Sequence, residues 1–399
     1  MVRNRALATL LSQTLVAFTV EVDNECERRM GEAGFRGARI SLVLWLNLIR
    51  HISSSGSLVQ DLAASGAGSK EALKLQLGCL ERWGFLTLAP GSTEAASPRD
   101  AAGRAGRGRE GWGSGRGIRN SWAVRLSGKG LKAAEIWPDA LEKVEGRWIA
   151  RLGKQRMARF RKSAQAVIDA LALDLPWGLP PTLIGRTEAF PARSTAAPKD
   201  LALPCLLSQL LLGFAIEFDR ESPAPITMSA NTLRVLGEAP IPVRDIALLT
   251  GSSPERTNIG WQLKPYVTVE TAPGVRGKVA KLTAAGLKAQ QAYGRLVTEI
   301  ERRWAERFGT EVVHDLREFL SALFRAEDAN QPPIALGLTP PPGTVRAGDL
   351  APALGRRDVG AAARQRMRDL VAQTEAFLRD PIDTLPYYPL WDMNRGFGP

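Results

Sequence analysis

The stretch Leu282–Gly309 reads LTAAGLKAQQAYGRLVTEIERRWAERFG, and Leu126–Gly153 reads LSGKGLKAAEIWPDALEKVEGRWIARLG. The two align without a gap, sharing Gly130 with Gly286, the tetrad GLKA, Trp148 with Trp304, Arg151 with Arg307, and the closing Gly153 with Gly309. Upstream, LSQTLVAFTVEVDNE at Leu11–Glu25 matches LSQLLLGFAIEFDRE at Leu207–Glu221. Two matched blocks in the same order mark an internal repeat, which sets the unit of folding. The offset is 196 residues (207 − 11) for the first block and 156 (282 − 126) for the second. Copy one therefore carries about 40 more residues between its blocks.

Both copies share one coarse grammar: a long apolar helix, further helices around a Ser/Gly turn, two strands, and a long final helix. In copy one, SLVLWLNLIRHI supplies the second helix, LVQDLAA the short third, and EALKLQLGCLERW the fourth, after GAGS. Gly84 precedes the strand FLTLA, and WAVRLS returns. In copy two the helices are TLRVLG, IPVRDIALL and ERTNIGWQLK, with GSSP before the last. The strands YVTVE and KVAKLT flank the loop TAPGVRG. Ser253 is placed to cap the helix that Pro254 opens, and Ser69 does the same before Lys70. Leu73, Leu77 and Leu80, or Ile259 and Leu263, face the core at helical spacing; Lys70 and Lys74, or Arg256 and Asn258, are left for the outer face.

Composition bounds the answer. A chain of 399 residues with 44% hydrophobic and 24% charged residues is a globular protein with room for two or three domains. The boundaries expected are 1–172, a Pro-containing linker 173–202, 203–330, and a last part 331–399 of irregular chain, helix and aromatic tail. Two His and three Cys exclude a His-rich metal centre and a disulfide scaffold. Cys26, Cys79 and Cys205 lie far apart and read as reduced core thiols, with oxidant sensing by Cys26 as the alternative. The basic, apolar start resembles a secretory leader, but Glu21, Asp23, Glu25 and Glu27 follow at once and the same helix recurs in mid-chain. No run is long enough to span a membrane, and a cytoplasmic protein is expected. The sequence has no Gly-rich phosphate loop, nucleophile elbow or catalytic triad, so neither an enzyme nor a bound cofactor is expected.

The order of elements, and above all VRGKVAKLTAAGLKA at Val275–Ala289, resembles the winged helix-turn-helix domain of the MarR type, present twice. The match is to that family's wing strand followed by Leu-Thr-x-x-Gly at the start of the next helix. LSGKG at Leu126–Gly130 repeats it with Ser for Thr, and RWIARLG and RWAERFG resemble the family's long C-terminal helix. The acidic residue usual before the wing arginine is replaced by Pro273 and Gly274. The resemblance implies a mainly α fold with small β-hairpin wings (α+β). It further implies binding of double-stranded operator DNA as a transcriptional regulator, a repressor, released by a small-molecule effector. Two copies in one chain imply an internal pseudo-dimer, with a homodimer as the alternative; a two-fold reader needs its helices about 34–36 Å apart. A non-catalytic protein-interaction or nucleoid scaffold built from the same domains is the competing reading.

The net charge is +12, and much of it is local. Between Pro98 and Arg125, Arg99, Arg104, Arg107, Arg109, Arg116, Arg119 and Arg125 face only Asp100 and Glu110. Arginine among glycines suits phosphate and a narrow minor groove, so this loop reads as an extended wing; a solubilising insertion is the plain alternative. In copy two Arg276, Lys278 and Lys281 surround the strand turn and are expected at phosphates. Ser69, Lys70, Lys74, Ser253, Arg256, Thr257 and Asn258 complete the expected DNA-facing set. Trp148 and Trp304 read as packing anchors, and His51 and His314 as structural or surface residues. Leu175, Trp177 and Leu179 in the linker, and Tyr387, Tyr388, Leu390 and Trp391 in the tail, are expected to pack against the core or an interface.

Overall fold

A helix that is apolar on every side must be buried on every side. That condition governs α1 (Leu7–Glu32), buried continuously from Leu7 to Val22, and its counterpart in copy two, buried continuously from Leu203 to Ile216. The computed structural model describes residues 5–35, 40–64, 70–90, 118–179, 201–237, 239–250, 263–272, 277–325, 331–338, 379–380 and 382–389. After α1 come α2 (Leu42–Asn47), a 3-10 turn at Ile49–His51, β1 (Ser57–Leu58), α3 (Val59–Ala64), α4 (Lys70–Arg82), β2 (Leu86–Pro90) and β3 (Trp122–Leu126). The copy closes with α5 (Gly128–Leu152) and α6 (Lys154–Leu171).

Copy two opens with α7 (Leu203–Glu221), then α8 (Ile226–Met228), which widens into a π-helical turn at Ser229–Leu233. β4 (Ile241–Pro242), α9 (Val243–Thr250), β5 (Val267–Thr271), β6 (Lys278–Leu282), α10 (Ala284–Phe308) and α11 (Thr310–Ala322) follow, with a 3-10 turn at Pro333–Gly337. The architecture is mainly α with two small antiparallel sheets of three strands, ordered β1-β3-β2 and β4-β6-β5. The register sets Leu88 opposite Val124 in the first, and Val269 opposite Ala280 in the second.

Two features depart from the sequence reading. The two-residue strands β1 and β4 add a third strand to each hairpin, pairing Ser57 with Val124 and Ile241 with Ala280. Each long final helix is broken in two, because Gly153 and Gly309 take positive φ of 87° and 103°, a region glycine enters without Cβ strain. The break turns α6 and α11 back across the molecule. α6 packs on α11 and α7, while α1 packs on α5, α7 and α11, so each copy's terminal helices grip the other copy. Phe160 stacks on Phe319 across that seam with ring centroids 4.2 Å apart. Trp148 and Trp304 are fully buried and meet Phe18 and Phe214 edge-on at 5.1 and 5.5 Å, as packing anchors do.

Candidate nucleic-acid interface

The site begins at the junction of strand and long helix. Ser127 and Thr283 cap α5 and α10 by accepting from the N–H of Gly130 and Gly286, both at 3.1 Å. Each hydroxyl also donates back, Ser127 to the Gly84 carbonyl at 2.6 Å and Thr283 to the Pro265 carbonyl at 2.8 Å. The backbone N–H groups of Ser127 and Thr283 donate to the carbonyls of Phe85 and Tyr266. Those carbonyls run so close to the helix that a Cβ on Gly130 or Gly286 would sit 1.9 or 2.0 Å from the oxygen. The Leu-[Ser/Thr]-x-x-Gly pattern is thus a physical latch: hydroxyl and glycine together weld the hairpin to the helix behind it.

The hairpins stand out from this weld. In the second, Thr268, Val269, Glu270 and Thr271 on β5 are all exposed, whereas Val279 and Ala280 on β6 are buried, so β5 forms the open edge of the hairpin. Lys278 is exposed at the start of β6, paired in register with Thr271. Lys281 is engaged already, its ammonium 2.7 Å from Glu270 across the hairpin. In the first, Arg119 is exposed just before β3, whereas Arg125 is half-buried with its stem packed at Gly56.

The helix beside the first hairpin is α4. Leu73, Leu77 and Leu80 are buried as their spacing predicts, which leaves Lys74 half-buried and Arg82 exposed. Glu81 Oε1 accepts from the N–H of Leu88 at 3.1 Å and ties α4 to β2. Lys129 closes the helix end, donating to the Trp83 carbonyl at 2.9 Å and lying 4.2 Å above the Phe85 ring; burial lowers its pKa. The structure therefore brings Lys74 and Arg119 onto one small α/β unit and Lys278 onto the other. Lys70 opens α4, but its side chain lies outside the described residues, as do Ser69, Arg104, Arg107, Arg109, Arg116, Ser253, Arg256, Thr257, Asn258 and Arg276.

Sequence reasoning missed the residues that hold the linker and the tail in place. Asn47 donates to the Leu179 carbonyl at 3.1 Å and accepts from the Gly178 N–H at 3.0 Å. Asn231 donates to the Tyr388 carbonyl at 2.8 Å and accepts from the N–H groups of Tyr387 and Tyr388. Three residues on, Arg50 lies over the Trp177 ring at 5.1 Å and Arg234 over the Tyr387 ring at 3.5 Å. The signal was present as Asn-x-x-Arg twice and as Leu-Pro-aromatic twice, at Leu175–Trp177 and Leu385–Tyr387.

Among the described residues no group of three or more His, Cys, Asp or Glu could hold a metal ion, and no helix is long and apolar enough to cross a membrane. His51 is held neutral, its pKa lowered to about 4 by burial and by the neighbouring Arg50. All three cysteines are buried, and burial raises the Cys26 thiol well above its ordinary value. Comparison with protein-family models, with curated proteins and with solved structures finds no match to this chain.

Proposed function

We propose that the chain is a sequence-specific double-stranded DNA-binding transcriptional regulator, built from two winged helix-turn-helix modules of the MarR type joined as an internal pseudo-dimer. One observation carries this reading. Two units with the same strand order and the same hydroxyl-and-glycine weld stand on a shared base of helices that cross between copies. Such a base is what a dimeric reader needs to hold two modules at fixed spacing, and covalent linkage makes the second docking step intramolecular. The basic excess supplies the phosphate term. The two copies differ in sequence, so the operator they suit is imperfectly palindromic.

Selection of bound fragments from genomic DNA, followed by sequencing, tests the proposal. Enrichment of a bipartite, imperfect site supports it; fragments with no shared motif count against sequence-specific reading. Sedimentation at increasing concentration should show a monomer. A protein-interaction scaffold is the second reading, favoured by Leu248 and Leu249 on α9, which are 40% and 49% exposed. Capture of a protein partner without nucleic acid, lost on Leu249→Ser, would turn the account toward it.

A further inference from the structure

The two copies carry opposite charge at the corner where the long helix turns. From Lys143 to Lys162, around Gly153, the sequence has eight Lys and Arg against one acid, Glu145, a net of +7. The matched stretch of copy two, from Glu299 to Glu318, has four Arg against six acids, a net of −2 with His314 neutral. Five of the eight cations are paired. Lys143 and Arg147 lie on Glu25 at 3.1 and 2.8 Å, Arg151 on Glu21 at 2.7 Å, Arg156 on Glu318 at 2.9 Å, and Arg161 on Glu145. The other three, Lys154, Arg159 and Lys162, are exposed, and among the described residues no acid lies within ion-pair distance of them. At helical spacing they fall within one arc of about 140°, opposite the buried Met157, Phe160, Ala164 and Val167. The helix rises about 12 Å from the first to the last of them, so three unpaired cations stand on one rigid face. In copy two the matched positions are Thr310, Asp315 and Glu318, and the two acids meet Ser163 and Arg156 in the seam.

This face is basic without being apolar. Its other exposed residues as far as Ala166 are Gln155 and Ala158, and the first acid on it, Asp169, is held by Gln165 at 2.8 Å about two turns beyond Lys162. It has no aromatic or large aliphatic anchor of the kind that a protein interface centres on or an interfacial helix buries in lipid. Cations without anchors suit phosphates, and the alanines let a sugar-phosphate backbone approach closely. The hairpin is welded to the start of α5, whereas this face follows its end, 25 residues and about 37 Å along the helix. We propose that the outer face of α6 is a second contact surface for double-stranded DNA, one that takes the phosphate backbone without regard to sequence, so that one chain holds two duplex segments. The backbone contact stands apart from the hairpin reading; the holding of two segments rests on it.

Binding of a random duplex by the full chain, measured across salt concentrations, tests the contact. Replacing Lys154, Arg159 and Lys162 together by Ala should leave the urea midpoint unchanged and reduce the salt slope by about 3, one phosphate for each cation. Lys154→Arg with Lys162→Arg should keep the slope. A slope unchanged by the triple variant would overturn the proposal, and so would a face that takes up poly-L-glutamate but not DNA, which would mark it as a surface for an acidic protein. An immobilised duplex carrying the selected site and loaded with the chain should capture a labelled random duplex, and the triple variant should not. Absence of capture by the unaltered chain would refute the holding of two segments. If the hairpins read no site, preference for the selected duplex disappears while the slope carried by α6 remains, so the two failures are told apart.

Discussion

Copy one and copy two place the same residues at the same points of their first and long helices, yet they treat charge differently. In copy one Glu21 is buried, accepting from Trp148 Nε1 at 2.9 Å and from both Arg151 terminal nitrogens at 2.7 and 2.8 Å. In copy two the counterpart Glu217 meets Arg307 at 3.4 Å, and Trp304 Nε1 has no hydrogen-bond partner among the described residues. Glu25 is 3% exposed and contacts Arg28, Arg29, Lys143 and Arg147; its counterpart Glu221 is 41% exposed and paired with Arg303. For Glu25, part of the difference lies in helix length. α1 runs 26 residues and carries Arg28 and Arg29 past the acidic pair, whereas α7 stops after 19, at Ser222 before Pro223. The small α/β unit of copy one shares the main core, through Leu73, Leu77 and Val124 among others. That of copy two has a satellite core of its own, with Leu233, Ile246 and Ala280. One repeat is fused to the base and the other is set on it.

The largest expected effect tests this contrast directly. Glu21→Ala leaves buried donors on Trp148 and Arg151 unpaired and should cost about 3–5 kcal/mol in denaturant unfolding. Glu217→Ala, a partly exposed pair, should cost about 0–1 kcal/mol. Equal losses would erase the distinction between the copies. Next in size is the weld. Gly130→Ala and Gly286→Ala both drive a methyl into a carbonyl and should each destabilise by about 1–3 kcal/mol. In hydrogen exchange the first should lower protection throughout, and the second chiefly in the satellite core of copy two. A global loss from both would mean that the two cores are one cooperative unit.

Acid should act on copy one first. Burial by itself would raise the Glu25 carboxyl, but hydrogen bonds from Arg28, Arg147, Arg29 and Lys143 outweigh it and hold the pKa well below the ordinary 4.5. A depressed carboxyl contributes stability that is full above its unfolded value and is lost as pH falls below about 4.5. Glu25→Gln should therefore flatten the acid limb of stability, and an unchanged limb would remove Glu25 as its source. His51 acts in a higher pH window. Its folded pKa of about 4 lies below the ordinary 6.5, so the unfolded chain binds the extra proton and stability declines from pH 6.5 toward 4. His51→Gln should remove that slope in urea midpoints measured across the window.

Much of this was legible in residues. The matched helices were readable because an all-round apolar helix and a capped glycine junction each leave a local pattern. The hairpin strands were readable from short β-rich runs. β1 and β4 were not, since two residues carry no periodicity, and the kinks at Gly153 and Gly309 were not, since a helix continues on both sides. Charge spacing placed Lys278 at an exposed strand start but could not show that Glu270 neutralises Lys281. The Asn47 and Asn231 contacts were beyond local reading, because they join residues 131 to 157 apart.

The central claim is that two unequal units on one base read a single duplex. Fluorescence anisotropy with a labelled duplex carrying the selected site, titrated across salt concentrations beside a random duplex, tests it most directly. The account predicts specific binding that weakens steeply with salt, with Lys74→Ala and Lys278→Ala each lowering affinity and reducing the salt slope by about 1. No preference over the random duplex, even at low salt, would contradict it.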